Sequence, residues 1–184
     1  MKNVYVFLAT GFEEIEALTP VDILRRAGIN VKLVSVTGSL AVMGARNIAV
    51  NADILFEDID KDWAEVIILP GGMPGTTNLY NHEGLMKLVM EHFEKGKHVS
   101  AICAAPTILG KLGILEGKKA TCYPDMEGDL KGAEFGTEAV ITDGNVTTSR
   151  GMGTALDFSL ELLSVMTGSK KESEDMAAKV VYMR

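Results

Sequence analysis

The run His98-Val99-Ser100-Ala101-Ile102-Cys103-Ala104-Ala105-Pro106-Thr107 contains the residue best placed for chemistry. An apolar stretch of strand length ends at Cys103, and small residues with a proline then open a helix. This pattern predicts a nucleophile elbow, a tight strand-to-helix turn that projects the thiol from the carboxyl end of a strand. Backbone N–H groups and the helix dipole at such a turn favour a thiolate. Cys103 is therefore expected to be reactive rather than a small core hydrophobe. The other cysteine, Cys122 in Ala120-Thr121-Cys122-Tyr123-Pro124, has only strand-like neighbours and is expected to be structural. Neither cysteine sits in a CxxC, no Cys/His spacing suits zinc, and a disulfide between the two is not expected.

A thiol needs a proton partner and donors for a developing oxyanion. Histidine usually supplies the base, but His82 reads as a helix cap, His92 lies within an amphipathic helix, and His98 begins the strand that leads to Cys103. No Cys–His dyad is visible. Carboxylates are nearer to hand in Gly11-Phe12-Glu13-Glu14-Ile15-Glu16. Glu13 and Glu14 have two open readings, as complements of a helix dipole or as site residues. Glu16 lies one turn further in, beside the apolar stripe. If buried near Cys103 it must be largely protonated, because a second anion beside a thiolate is unfavourable. A carboxyl donating to sulfur lowers the thiol pKa and can shuttle a proton. In Leu69-Pro70-Gly71-Gly72-Met73-Pro74-Gly75 the glycines allow backbone N–H groups to approach a ligand oxygen, as an oxyanion hole requires.

The elements that must position these groups alternate strand-length and helix-length runs. Strands are expected at Val4–Leu8, Asn30–Val36, Val66–Leu69 and Val99–Ile102, with helices over Glu13–Ala27 and His82–Lys95. Asp143-Gly144 between Val/Thr-rich runs predicts a hairpin within Glu138–Ser149. A long helix through Leu156 and Met166 and a last one from Lys170 to Met183 follow. This rhythm predicts one α/β domain over residues 1–184, with a mostly parallel sheet covered on both faces. Such sheets place ligands outside the carboxyl ends of their strands.

The formal net charge is −7 and no Lys/Arg block occurs, which argues against a nucleic-acid partner. No apolar run reaches membrane-spanning length, and the run at Val4–Leu8 is too short for a secretion signal, so a cytoplasmic location is expected.

Five segments together resemble the DJ-1/ThiJ/PfpI superfamily, on its DJ-1/YajL-like branch. They are Gly11–Glu16, Pro20-Val21-Asp22 with Arg25–Gly28, Leu69–Gly72, Ala101–Thr107 and Thr148–Thr154. The resemblance spans essentially the whole chain. It implies a flavodoxin-like three-layer sandwich, a homodimer, and no cofactor or metal. Cys103 would be the oxidation-sensitive cysteine and Glu16 its protonated partner, with Gly71, Gly72 and Ala104 as backbone positions around the thiol. Arg46 would stand near the site, and Arg150 to Gly153 would form a loop close to it. The chain departs from DJ-1 in having Tyr123 where a histidine lies near the cysteine. It departs from the protease-like branch in having Ala104, not histidine, after Cys103.

Two functions are then expected to compete. The first is a cofactor-independent glyoxalase or deglycase acting on methylglyoxal, glyoxal or their adducts. Here Cys103 is the nucleophile, Glu16 moves the proton, and the N–H groups of Gly72 and Ala104 stabilise oxygen charge. The second is an oxidative-stress sensor or chaperone in which Cys103 is oxidised to an acid.

Overall fold

The computed structural model describes residues 2–183. In chain order it runs β1 (Asn3–Leu8), α1 (Glu14–Arg26), β2 (Asn30–Ser35), β3 (Ala41–Met43), β4 (Ala49–Asn51), β5 (Ile54–Leu55), β6 (Val66–Leu69), α2 (Gly75–Tyr80) and α3 (Glu83–Glu94). It continues with β7 (His98–Ile102), α4 (Pro106–Lys111), β8 (Lys119–Ala120), β9 (Glu134–Phe135), β10 (Val140–Asp143), β11 (Val146–Ser149), α5 (Ala155–Thr167) and α6 (Lys170–Lys179).

Seven strands form the central sheet in the order β10-β11-β7-β6-β1-β2-β5. Every pair is parallel except the β10–β11 hairpin. The alternation of β1 shows how sequence becomes layers. Val4, Val6 and Leu8 point to one face and Tyr5 and Phe7 to the other, all buried. On the first face they meet Ala17, Val21 and Leu24 of α1 and Phe158, Leu162 and Leu163 of α5. On the second they meet Leu79 of α2, Leu85, Leu88 and Val89 of α3, and Ile108 of α4. Strands buried on both faces read as continuous apolar runs, which is why β6 is Val-Ile-Ile-Leu. The result is the flavodoxin-like three-layer sandwich that the pattern and the resemblance imply. Among the described residues no helix is long and apolar enough to cross a membrane.

Several features depart from the sequence reading, which lacks β5 and α2 among others. The β3–β4 hairpin and the short β8–β9 pair are absent from it, because two- and three-residue strands carry no usable period. The last helix stops at Lys179 rather than Met183. Two consecutive β-branched residues follow, and Val181 takes a φ of 57° that ends helical geometry.

The sheet order places β1 between β2 and β6, so the chain leaves β1 toward one side and returns on the other. Segments leaving β1, β6 and β7 therefore converge at one edge, where open α/β sheets hold ligands.

Candidate functional site

The segments leaving β1 and β6 are stitched together by their backbones before any side chain is considered. The Glu13 N–H donates to Gly71 O at 2.9 Å, and the Gly75 N–H donates to Gly11 O at 3.1 Å. Gly72 has φ +89°, and a Cβ there would stand 2.4 Å from Glu13 N. Only glycine fits this crossing.

Cys103 occupies the elbow with φ +65°, a left-handed conformation rare for a residue with a side chain. Its neighbours hold that turn in place. Its N–H donates to Ser149 O at 2.9 Å, and its carbonyl accepts from the Tyr123 N–H at 2.8 Å. The half-buried sulfur is approached by the N–H groups of Gly72 and Ala104 and shares a hydrogen bond with the Glu16 carboxyl. Glu16 is 1% exposed. Its Oε2 accepts the Gly71 N–H at 3.0 Å, and the carboxyl also accepts from the Met152 backbone. Gly71 thus serves the carboxyl, while Gly72 and Ala104 serve the thiol.

Burial pushes the Glu16 carboxyl up to about 7, opposed by its hydrogen bonds to Cys103, Gly71 and Met152. Burial, then the Glu16 charge and its hydrogen bond, push the Cys103 thiol up to about 12 against the Ala104 and Gly72 N–H groups. Beside an ionised Glu16 the helix end does not hold a thiolate. Helix α4 has only six residues and starts at Pro106, which has no N–H, so its N-terminal field is weak beside a neighbouring carboxylate. The two groups titrate as a pair that loses one proton near neutrality and the second only in strong alkali. A thiolate exists in this pair when Glu16 holds the proton.

Above the pair lies a cavity of about 640 Å³ into which Arg46, Tyr123, Glu13 and Asp125 face. The Arg46 guanidinium stands 3.6 Å from Glu13 Oε2. Glu14 does not cap its own helix; its Oε1 accepts the Arg46 N–H at 2.8 Å and holds the hairpin loop that carries Arg46. Gly151 lies beneath the Tyr123 ring and beside Glu16. Arg150, expected to line the site, does not face this cavity, and its guanidinium donates to Thr137 O at 3.0 Å. Sequence reasoning missed Met152 as a donor to Glu16, and Asp125, Met73 and Met126 as cavity walls. Met152 alone carried a signal, lying inside the Thr148–Thr154 motif. Cys122 is buried with its thiol on Tyr123 O at 3.3 Å. Among the described residues no His, Cys, Asp and Glu side chains gather as a metal site would require.

The histidines stand away from this cavity. His82 caps α3, accepting the Leu85 N–H at 3.0 Å. His92 and His98 are buried, bonded to Glu65 O and Thr147 Oγ1, and burial pushes both down to about 4. Between their ordinary value near 6.5 and 4, the unfolded chain binds protons that the native chain refuses, so each histidine loses stability as pH falls. Glu16 has the opposite sign, since its raised native pKa favours the folded state as pH falls from 7 toward 4.5. Two terms against one leave a net loss of stability as pH falls from 6.5 to 4.5, on the order of 1 kcal/mol per pH unit. Urea unfolding across that range checks this, and a flat profile would contradict it. Glu16→Gln removes the opposing term and is expected to make the slope about twice as steep.

Residues 2–165 match the DJ-1/PfpI family. Protein dj-1beta of Drosophila melanogaster is 36% identical over 175 residues, covering 94% of each chain. Protein DJ-1 homolog B of Arabidopsis thaliana is 39% identical over 175 residues, and this chain spans 40% of its length. The structure of oxidized Toxoplasma gondii DJ-1 superposes with a TM-score of 0.95 at 33% identity, covering both chains fully.

Proposed function

This chain belongs to the DJ-1/PfpI family, and from that premise we propose that it is a cofactor-independent glyoxalase acting on methylglyoxal, glyoxal and their early adducts. The observation that carries this reading is the hydrogen-bonded pair of Glu16 and Cys103, with the Gly72 and Ala104 N–H groups at the sulfur, opening into a cavity of small-molecule size.

In the form with the proton on Glu16, the Cys103 thiolate adds to the aldehyde carbon of methylglyoxal. The new alkoxide takes the Glu16 proton, giving a hemithioacetal and a carboxylate. That carboxylate then removes the hydrogen from the same carbon, forming an enediolate. It returns the proton to the adjacent carbon while the hydroxyl proton passes between the two oxygens. The product is a lactoyl thioester on Cys103. Water cleaves it, and one methylglyoxal plus one water leaves as lactate with the thiol restored. The N–H groups of Gly72 and Ala104 stabilise oxygen charge during addition and hydrolysis. Glu16 is thus the group that moves the carbon-bound hydrogen.

Incubation with methylglyoxal in the absence of glutathione is expected to give lactate equal to the aldehyde consumed, and to give none with Cys103→Ser. Consumption without lactate would overturn the isomerase reading. A second reading rests on the same donors. The Gly72, Ala104 and Glu16 groups that meet sulfur would also hold the oxygens of a sulfinate, and a two-oxygen mass gain at Cys103 under peroxide without methylglyoxal turnover would favour it.

We infer that the working form is a homodimer. An apolar cleft of about 600 Å³ runs between α1 and the β3–β4 loop, where Ile15 and Ile48 are 48% and 55% exposed beside Leu18, Leu156 and Val180. Such a face suits a two-fold contact with a second copy. Sedimentation is expected to give twice the 19.8 kDa chain mass, and Ile48→Glu to return it to the single-chain value. A wild-type monomer would refute this.

A further inference from the structure

A second cavity, of about 180 Å³, opens between α2 and α4 beside the thiol cavity. Met73 and Met126 line both, so the two cavities lie side by side across a methionine ridge. The smaller cavity is polar. Lys111 and Asp129 face it with Thr77 and Tyr80. The Lys111 ammonium sits over the Tyr80 ring, 4.9 Å from its centroid. Neither Lys111 nor Asp129 forms an ion pair among the described residues.

One cation and one anion therefore share a small cavity, too far apart to pair with each other. A purely anionic ligand would meet Asp129, and a purely cationic one would meet Lys111. A zwitterion satisfies both at once. At about 30 Å³ per water the annex holds the volume of roughly six waters, which is room for an amino-acid head group. The flexible methionines of that ridge suit an aliphatic chain lying across them.

We propose that this annex binds the zwitterionic head of an amino-acid adduct, carboxylate on Lys111 and ammonium on Asp129, while the chain lies across the methionine ridge and presents its aldehyde-derived carbon to Cys103. The proposal rests on the reading that Cys103 attacks such a carbon. It selects adducts of free amino acids over the bare aldehyde.

The test uses two alkylating reagents of equal reach. Nε-iodoacetyl-lysine carries a free amino-acid head, and its Nα-acetyl carboxamide derivative carries none. In each case the Cys103 thiolate displaces iodide, the new C–S bond replacing the C–I bond, and intact mass gives the rate. With wild type below saturation, the free head is expected to react about tenfold faster than the blocked one. Lys111→Met or Asp129→Asn is expected to bring the ratio near one, and Lys111→Arg to restore it. Unchanged rates with plain iodoacetamide in these variants would show the thiol itself unaffected. Equal rates for the two reagents in wild type, or a ratio indifferent to both substitutions, would overturn the annex. Alkylation requires no turnover, so failure to make lactate from methylglyoxal would remove the glyoxalase reading alone. Inertness of Cys103 to all three reagents would remove both.

Discussion

Glu16→Gln is expected to lower lactate formation from methylglyoxal by about 10²- to 10⁴-fold, the usual worth of a positioned acid–base group, while Cys103→Ser removes it to background. The substitution keeps the shape of the side chain and its contact with the Gly71 N–H at Oε2, so the loss reports proton transfer rather than collapse. The pH profile separates the two more sharply. The pair loses its first proton near pH 7, and the second ionisation is held up to about 12. Wild-type kcat/KM is therefore expected to rise with pH through about 7 and then stay level into the alkaline range. In Glu16→Gln the sulfur must ionise without a carboxyl to take its proton, and burial still opposes its charge. The inflection then moves upward. An unchanged inflection with retained turnover would show that Glu16 is not the acid–base group.

The second large effect is expected from a single added methyl group. A Cβ at Gly71 would stand 2.7 Å from Cys103 Cβ, 2.7 Å from Glu16 Oε2 and 2.9 Å from Ile102 O. Gly71 lacks the positive φ of Gly72, so alanine is conformationally permitted and only space opposes it. Two of the three obstacles are a β-carbon and a backbone oxygen, which cannot swing aside. Gly71→Ala must spread the thiol from the carboxyl, with an expected cost of about 1–3 kcal/mol in stability and a fall in turnover of about 10²-fold from the displacement. Gly128→Ala, which meets nothing within 4 Å, is the control and should leave both unchanged. Thermal unfolding and lactate formation measured on the two variants decide the matter. Full activity in Gly71→Ala would mean that the close packing here is not needed.

Cys103 was readable in the sequence because its signal is local. A strand-length apolar run, small residues and Pro106 lie within ten positions, and the elbow they predict has its φ of +65°. Glu16 was readable from its place one turn into a helix that follows β1, since the fold class puts that turn at the same sheet edge. The parallel layers followed from period and length alone. The sense of the thiol's shift was not readable, because it depends on how deeply two distant segments bury each other. Nor was the role of Glu14. Glu13 and Glu14 look alike in sequence at the start of α1, yet Glu13 faces Arg46 and Glu14 holds the Arg46 backbone, while Glu16 holds the thiol. Asp125, Met126 and Asp129 reach the two cavities on a loop with little regular structure, and no periodicity announces such a segment.

The bonds that shape the site all span long stretches of chain. Glu16 meets Gly71 across 55 residues and Glu14 meets Arg46 across 32, while Cys103 is pinned through Ser149 and Tyr123. None of these can close until the strands that carry them have paired, so during folding they form after the local helices. A nascent or partly opened chain carries Cys103 as an ordinary cysteine with no carboxyl beside it. The unusual ionisation of this thiol is thus a property of the completed molecule, and its chemical behaviour doubles as a clock for the last step of assembly.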